Sequence, residues 1–145
     1  NERYKASLAR QVFFVPGAIA LLETLSTRCD LYLASNGTAS VQDGRIKRAG
    51  IGGYFRDIFV SQRVGFDKPA RGFFDACFAL SGARAESSVM IGDSLSSDIR
   101  GGADAGMRTV WFNPRRLPAP DDPKPDFTVT ALSEVPPALA ACGKS

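Results

Sequence analysis

Residues 89–99 read VMIGDSLSSDI. Three apolar residues run into a Gly-Asp pair, the pattern of a buried strand that breaks at its carboxyl end. Two carboxylates follow within six residues, Asp93 and Asp98. Carboxylates this close repel unless a cation sits with them. The chain contains no histidine, so the donors here are oxygens alone, which suits a hard cation such as Mg²⁺. Asp93, directly after Gly92 at the strand end, reads as a metal ligand. For Asp98 a second reading stands beside ligation: a carboxylate in the first turn of a helix, where the dipole favours it.

Working outward, DLYLASNG (30–37), DIFVS (57–61), SVMIGD (88–93) and TVWFN (109–113) read as strands, with FTVT (127–130) as an added edge strand. Pro16 fits a helix start, and AIALLETL behind it carries a helical apolar stripe. Further helices are expected at 39–49, 70–80, 97–105 and 131–140, and residues 2–10 read as a short polar helix with Tyr4 and Leu8 on one face. QRVGFDKPA reads as a loop, and the five prolines of 114–125 as an irregular surface loop. Apolar strands alternating with helices predict an α/β fold, a doubly wound parallel sheet covered on both faces. In such sheets ligands collect at the carboxyl ends of the strands. Four features fall there: Ser35-Asn36-Gly37, Lys68, Asp93 and Asn113.

Composition narrows the function classes. A chain of 145 residues with 44% hydrophobic and 23% charged residues is one globular domain. The net charge of +3 comes from 18 basic and 15 acidic residues. The basic residues are scattered, which argues against a nucleic acid polymer as partner. The longest apolar run is too short to span a bilayer and no signal-peptide pattern opens the chain, so no membrane role is expected. Cys29, Cys77 and Cys142 are an odd number without CxxC spacing, so a reducing, cytoplasmic setting is the expectation. Lack of histidine removes Ser-His-Asp and Cys-His catalysis.

Ser35-Asn36-Gly37 offers a hydroxyl and backbone N–H groups in a tight turn, a small anion nest; alone, an ordinary strand-to-helix turn explains it as well. Lys68 before Pro69 is a cation on a stiffened loop. A nest, a lysine and a metal-binding carboxylate together meet what a phosphoryl group requires. Phe13-Phe14, Phe73-Phe74 and Trp111 read as core, Arg115-Arg116 as a solvated loop, and the cysteines as packing or tail residues.

These stretches also resemble a known family. YLASNG, FDKP and IGDSLSSDIRGGADAGM resemble motifs II, III and IV of the haloacid dehalogenase-like (HAD) hydrolases, in order and spacing, over roughly Pro16 to Asn113. The branch containing pyrimidine 5′-nucleotidases and phosphoglycolate phosphatases is the most similar. The resemblance implies a Rossmann-type core, Mg²⁺ as cofactor and a small phosphorylated substrate. It gives Ser35, Asn36 and Gly37 the phosphoryl oxygens, Lys68 the charge of the nucleophile and the transferring group, and Asp93 the metal. Asp98 would support the metal directly or through water. Gly92-Asp93 argues for phosphate over carbon–halogen chemistry.

One motif departs from the family. The DxDx(T/V) segment that supplies the nucleophile is absent, and Asp121-Asp122 follows no strand. The expected chain therefore lacks the family's first central strand, between the strands ending at Ser35 and Asp93, and most of the cap. Residues 1–15 would be a remnant of helical cap and linker, and 16–145 the core. The opening Asn1 fits a missing N-terminal segment. The gap predicts a strand exchanged with a second copy, direct pairing of the flanking strands, or an ordered remnant of a longer protein. The leading expectation is a phosphomonoester hydrolase lacking its nucleophile. The rival is a non-enzymatic module that binds phosphate or Mg²⁺ or docks on a partner.

Overall fold

The structure, a computed structural model, describes residues 4–9 and 15–143. Six parallel strands form one sheet in the order β3-β2-β1-β4-β5-β6. They are β1 (Tyr4–Ala9), β2 (Cys29–Ser35), β3 (Asp57–Val60), β4 (Ser88–Gly92), β5 (Arg108–Phe112) and β6 (Phe127–Val129). Between them run α1 (Ala18–Ser26), α2 (Ala39–Ala49), the single turn α3 (Ser61–Val64), α4 (Arg71–Ser81), α5 (Arg100–Asp104) and, last, α6 (Val135–Gly143). The doubly wound parallel sheet expected from the sequence is the fold.

Strands buried on both faces still alternate, because successive side chains point to opposite sides. Leu31 and Leu33 of β2 and Val89 and Ile91 of β4 join one apolar cluster, with Leu21, Leu22 and Leu25 of α1 and Val135 and Leu139 of α6. Tyr32, Ala34 and Met90 join the other, under Phe73 and Phe74 of α4. Burial of one such leucine is worth about 1.5–3 kcal/mol, so the two clusters hold the helices onto both faces of the sheet.

The largest departure from expectation is at the N-terminus. Tyr4–Ala9 is a strand, not a helix, and it fills the central position between β2 and β4. Its register runs Tyr4 opposite Cys29 to Ala9 opposite Ala34 on one side, and Lys5 opposite Ser88 to Leu8 opposite Ile91 on the other. Tyr4 and Leu8 stand four apart, a spacing that satisfies a helix and a strand equally. The ladder decides: two parallel strands one strand-width apart expose N–H and C=O groups that need partners. Direct pairing of β2 with β4, one outcome expected for the gap, does not occur, since each pairs with β1. The sequence of β1, YKASLA, contains no carboxylate.

Smaller departures lie in loops. The stretch after β3 contains the turn α3. The expected helix at 97–105 is a wide π-type turn over Leu95–Ile99 that passes into α5. The last helix begins with a 3₁₀ turn, Leu132–Glu134.

Candidate functional site at the carboxyl ends of the strands

The loop between α3 and α4 turns Lys68 inward. Its side chain is almost wholly buried, and Nζ donates to Asp98 Oδ1 at 2.7 Å and to the Ala34 carbonyl at 3.0 Å. One ammonium thus ties the end of β2 to the turn after β4. Asp98 is 2% exposed. Its second oxygen, Oδ2, accepts from the Ser94 N–H at 3.1 Å. A buried ion pair of this kind is tolerated because both partners keep hydrogen bonds; either one alone would be a stranded charge. The carboxylate fits only because residue 92 is glycine: a Cβ there would lie 2.4 Å from Asp98 Oδ2 and 2.6 Å from its Cγ.

Asn36 holds the lysine from the other side. Its Oδ1 accepts from the Lys68 N–H at 2.8 Å and its Nδ2 donates to the Lys68 carbonyl at 3.1 Å. The amide therefore mimics a neighbouring strand and clamps the backbone of residue 68. Sequence reading took Asn36 only for its backbone; the matching of one amide to one peptide across 32 residues is invisible in a linear string. Ser61 was missed for the same reason. Its Oγ accepts from the Gly37 N–H at 2.9 Å and donates to the Gly37 carbonyl at 3.3 Å. The nest is thus partly occupied by the protein itself. Ser35, at the end of β2, is fully buried, with a long 3.4 Å contact from Oγ to the Asn36 carbonyl.

Asp93 is placed differently. It is exposed just past β4, and its carbonyl accepts from the Trp111 indole N–H at 3.0 Å. With Val15, Asn113 and Arg115 it lines a cavity of about 250 Å³. Trp111 is core, as expected, and its indole nitrogen also fixes the backbone of the candidate metal ligand. Asn113 lines the same cavity, but its amide is taken up by Leu117, donating to that carbonyl at 2.8 Å and accepting from that N–H at 3.0 Å.

Mg²⁺ takes oxygen donors, commonly one or two carboxylates completed by water and phosphate oxygens. Asp93 fits that donor chemistry. Among the described residues no three acidic, cysteine or histidine side chains gather around one point, and both oxygens of Asp98 are engaged by Lys68 and Ser94. Among the described residues the exposed carboxylate that could meet such an ion at this strand end is Asp93, while Asp98 is committed to Lys68 and Ser94.

The remaining candidates fall where the sequence put them or outside the described residues. Phe73 and Phe74 are core at 0% and 3% exposure. Asp122 meets Arg100 on the surface at 2.9 Å, away from any strand end. Cys29 and Cys142 are buried, and burial pushes the Cys77 thiol up to about 12, against the opposing pull of Lys68. Phe13-Phe14 lie outside the described residues. No helix among the described residues is long and apolar enough to cross a membrane.

The sequence and the fold have counterparts in known proteins. The family model for haloacid dehalogenase-like hydrolases matches residues 1–112. The chain belongs to that family. It is 36% identical over 136 residues to the pyrimidine 5′-nucleotidase PynA of Streptococcus pneumoniae, covering 92% of this chain and 57% of PynA. It is 33% identical over 136 residues to the pyrimidine 5′-nucleotidase YjjG of Escherichia coli, covering 93% of this chain and 60% of YjjG. The crystal structure of YfnB from Bacillus subtilis bound to magnesium superposes with a TM-score of 0.83 at 36% identity, over 86% of this chain and 55% of that one. The chain thus spans somewhat over half the length of these HAD relatives. Membership places it among hydrolases with phosphatase and nucleotidase members.

Proposed function

We propose that this chain carries the phosphoryl- and metal-holding part of a Mg²⁺-dependent HAD phosphomonoester hydrolase acting on a small phosphorylated metabolite such as a nucleoside monophosphate. The observation that carries the reading is Lys68, a nearly buried ammonium clamped by Asn36, Ala34 and Asp98 at the strand ends beside exposed Asp93. An ammonium has three donors; two are used here, and the third serves a phosphoryl oxygen. The Asn36 N–H holds another oxygen and Gly37 joins it by releasing Ser61, while Ser35, wholly buried at the end of β2, supports the turn through its contact with the Asn36 carbonyl. Mg²⁺ at Asp93, with Asp98 supporting it through water while holding Lys68, would offset charge on the transferring group. In the complete enzyme an aspartate of a DxD strand, taking the central place that Tyr4–Ala9 holds here, would attack phosphorus and displace the ester's alcohol, forming a phosphoaspartyl ester that water then cleaves to release phosphate. The names of PynA and YjjG favour a nucleotide substrate.

One observation favours the rival, a non-enzymatic phosphate- or Mg²⁺-binding module: the central strand of this chain ends without a carboxylate. Phosphate release from p-nitrophenyl phosphate and pyrimidine monophosphates, with and without Mg²⁺, separates the two. It is run on this chain, on a longer version restoring the DxD segment, and on Asp93→Asn in both. The proposal expects no turnover from the chain alone and metal-dependent turnover from the longer version, lost in Asp93→Asn. Silence from the longer version would support the module, and turnover by the chain alone would place a nucleophile within its 145 residues.

A further inference from the structure

Between the loops that follow β2 and β3 opens a cleft of about 610 Å³, larger than the cavity at Asp93 and lined by Gly37, Ser61, Gln62, Phe66 and Asp67, with Asn36 at its inner end. That volume falls within the range of small-molecule sites. Asn36 and Asp67 place it directly against the Lys68 clamp.

Most polar groups of its floor already have partners within the protein. Gly37 and Ser61 exchange two hydrogen bonds, the Gln62 N–H donates to the Gly37 carbonyl at 3.3 Å, and Gln62 Oε1 accepts from the Ala39 N–H at 2.6 Å. Two features of the wall remain for a ligand. Phe66 is 52% exposed, and its ring is seated on α4 because residue 72 is glycine: a Cβ there would lie 2.7 Å from the ring carbons. Asp67, the next residue, is exposed and brings a carboxylate, an acceptor only. An aromatic face beside a carboxylate suits a flat ring that carries N–H donors.

We propose that this cleft is the subsite for the organic part of the ester, with Phe66 as a stacking platform and Asp67 as acceptor for an N–H-bearing planar heterocycle of the nucleobase type. The inference rests on the phosphoryl-site reading above and narrows its substrate class. Phe66 and Asp67 would then favour a nucleotide over the same sugar phosphate without its base.

The test is equilibrium binding of cytidine 5′-monophosphate and ribose 5-phosphate in Mg²⁺, by isothermal titration calorimetry, to the chain and to Phe66→Ala, Phe66→Tyr and Asp67→Asn. Stacking of one base on an aromatic side chain predicts roughly a tenfold preference for the nucleotide. That ratio falls toward one in Phe66→Ala, is kept in Phe66→Tyr and is reduced in Asp67→Asn. A circular dichroism spectrum matching the parent shows that each variant is folded. If both ligands bind but the ratio is near one, or is unmoved by Phe66→Ala, the platform is overturned and the phosphoryl site stands. If neither ligand binds, the phosphoryl-site reading fails and the subsite fails with it.

Discussion

The two sides of the strand-end edge are built in opposite ways. On the β2 and β3 side Lys68 is buried and satisfied: the exposed Asn36 amide holds its backbone, and its ammonium meets the Ala34 carbonyl and the buried carboxylate of Asp98 from the turn after β4. On the β4 and β5 side, Asp93 is exposed at the rim of a cavity, and its carbonyl accepts from the Trp111 indole N–H. The first arrangement sets a positive charge in one place at a cost in desolvation that hydrogen bonds offset. The second places an exposed carboxylate at the rim of a cavity. In the proposed site the two serve one bound dianion and its counter-ion, and each half can be broken separately.

The largest effect is expected from Lys68→Met. It strands Asp98 in the interior, and removing one partner of a buried pair costs about 3–5 kcal/mol. Urea unfolding should show the loss, and the double variant Lys68→Met, Asp98→Leu should recover much of it. An unchanged midpoint for the single variant would show that the two groups are not coupled. For comparison, the exposed Arg71–Asp75 pair on α4, 3.0 Å apart, belongs to a class worth about 0–1 kcal/mol.

A smaller effect is expected from Asn36→Ala. Two hydrogen bonds to the Lys68 peptide go, leaving a partly buried N–H and C=O without them, a cost of roughly 1–3 kcal/mol. Phosphate affinity should fall as well, because the lysine is no longer clamped. Asn36→Ser with full stability and affinity would show that the clamp is dispensable.

The smallest effect at neutral pH concerns Cys77, which packs behind the fixed side against Phe73 and Phe74. With its folded pKa raised to about 12, chiefly by burial, it should resist iodoacetamide at pH 8 until the protein unfolds. The unfolded thiol ionises near its ordinary value of 9.0. The stability linked to this group is therefore complete below pH 9 and declines as pH rises toward 12. Rapid labelling of the folded protein at pH 8 would contradict the closed packing around α4.

What the sequence made legible follows from locality. The strands at 30–37 and 88–93 announce themselves by apolar runs ending in Ser-Asn-Gly and Gly-Asp, and the parallel sheet follows from their alternation with helices. The same stretches put Ser35 and Asp93 at or just past the strand ends, and the Lys-Pro pair marks the loop that carries Lys68. Three things were not local. The central strand Tyr4–Ala9 has a pattern that fits two periods, and only the ladder of β2 and β4 selects one. Asn36 acts on a peptide far along the chain. Asp98 sits near Asp93 in sequence, yet its bonds go to Lys68 and Ser94. In each case the deciding partner lies on another element, so spacing along the chain could not name it.

The account depends most on Lys68 and Asp93 serving one bound group, and inorganic phosphate binding as a function of Mg²⁺ tests that most directly. Titration calorimetry on the 145-residue chain should show phosphate affinity rising with Mg²⁺. That rise should vanish in Asp93→Asn, while the metal-free affinity should vanish in Lys68→Met, Asp98→Leu. Phosphate binding indifferent to Mg²⁺, or a Mg²⁺ effect undiminished in Asp93→Asn, would contradict the assignment of the metal to Asp93.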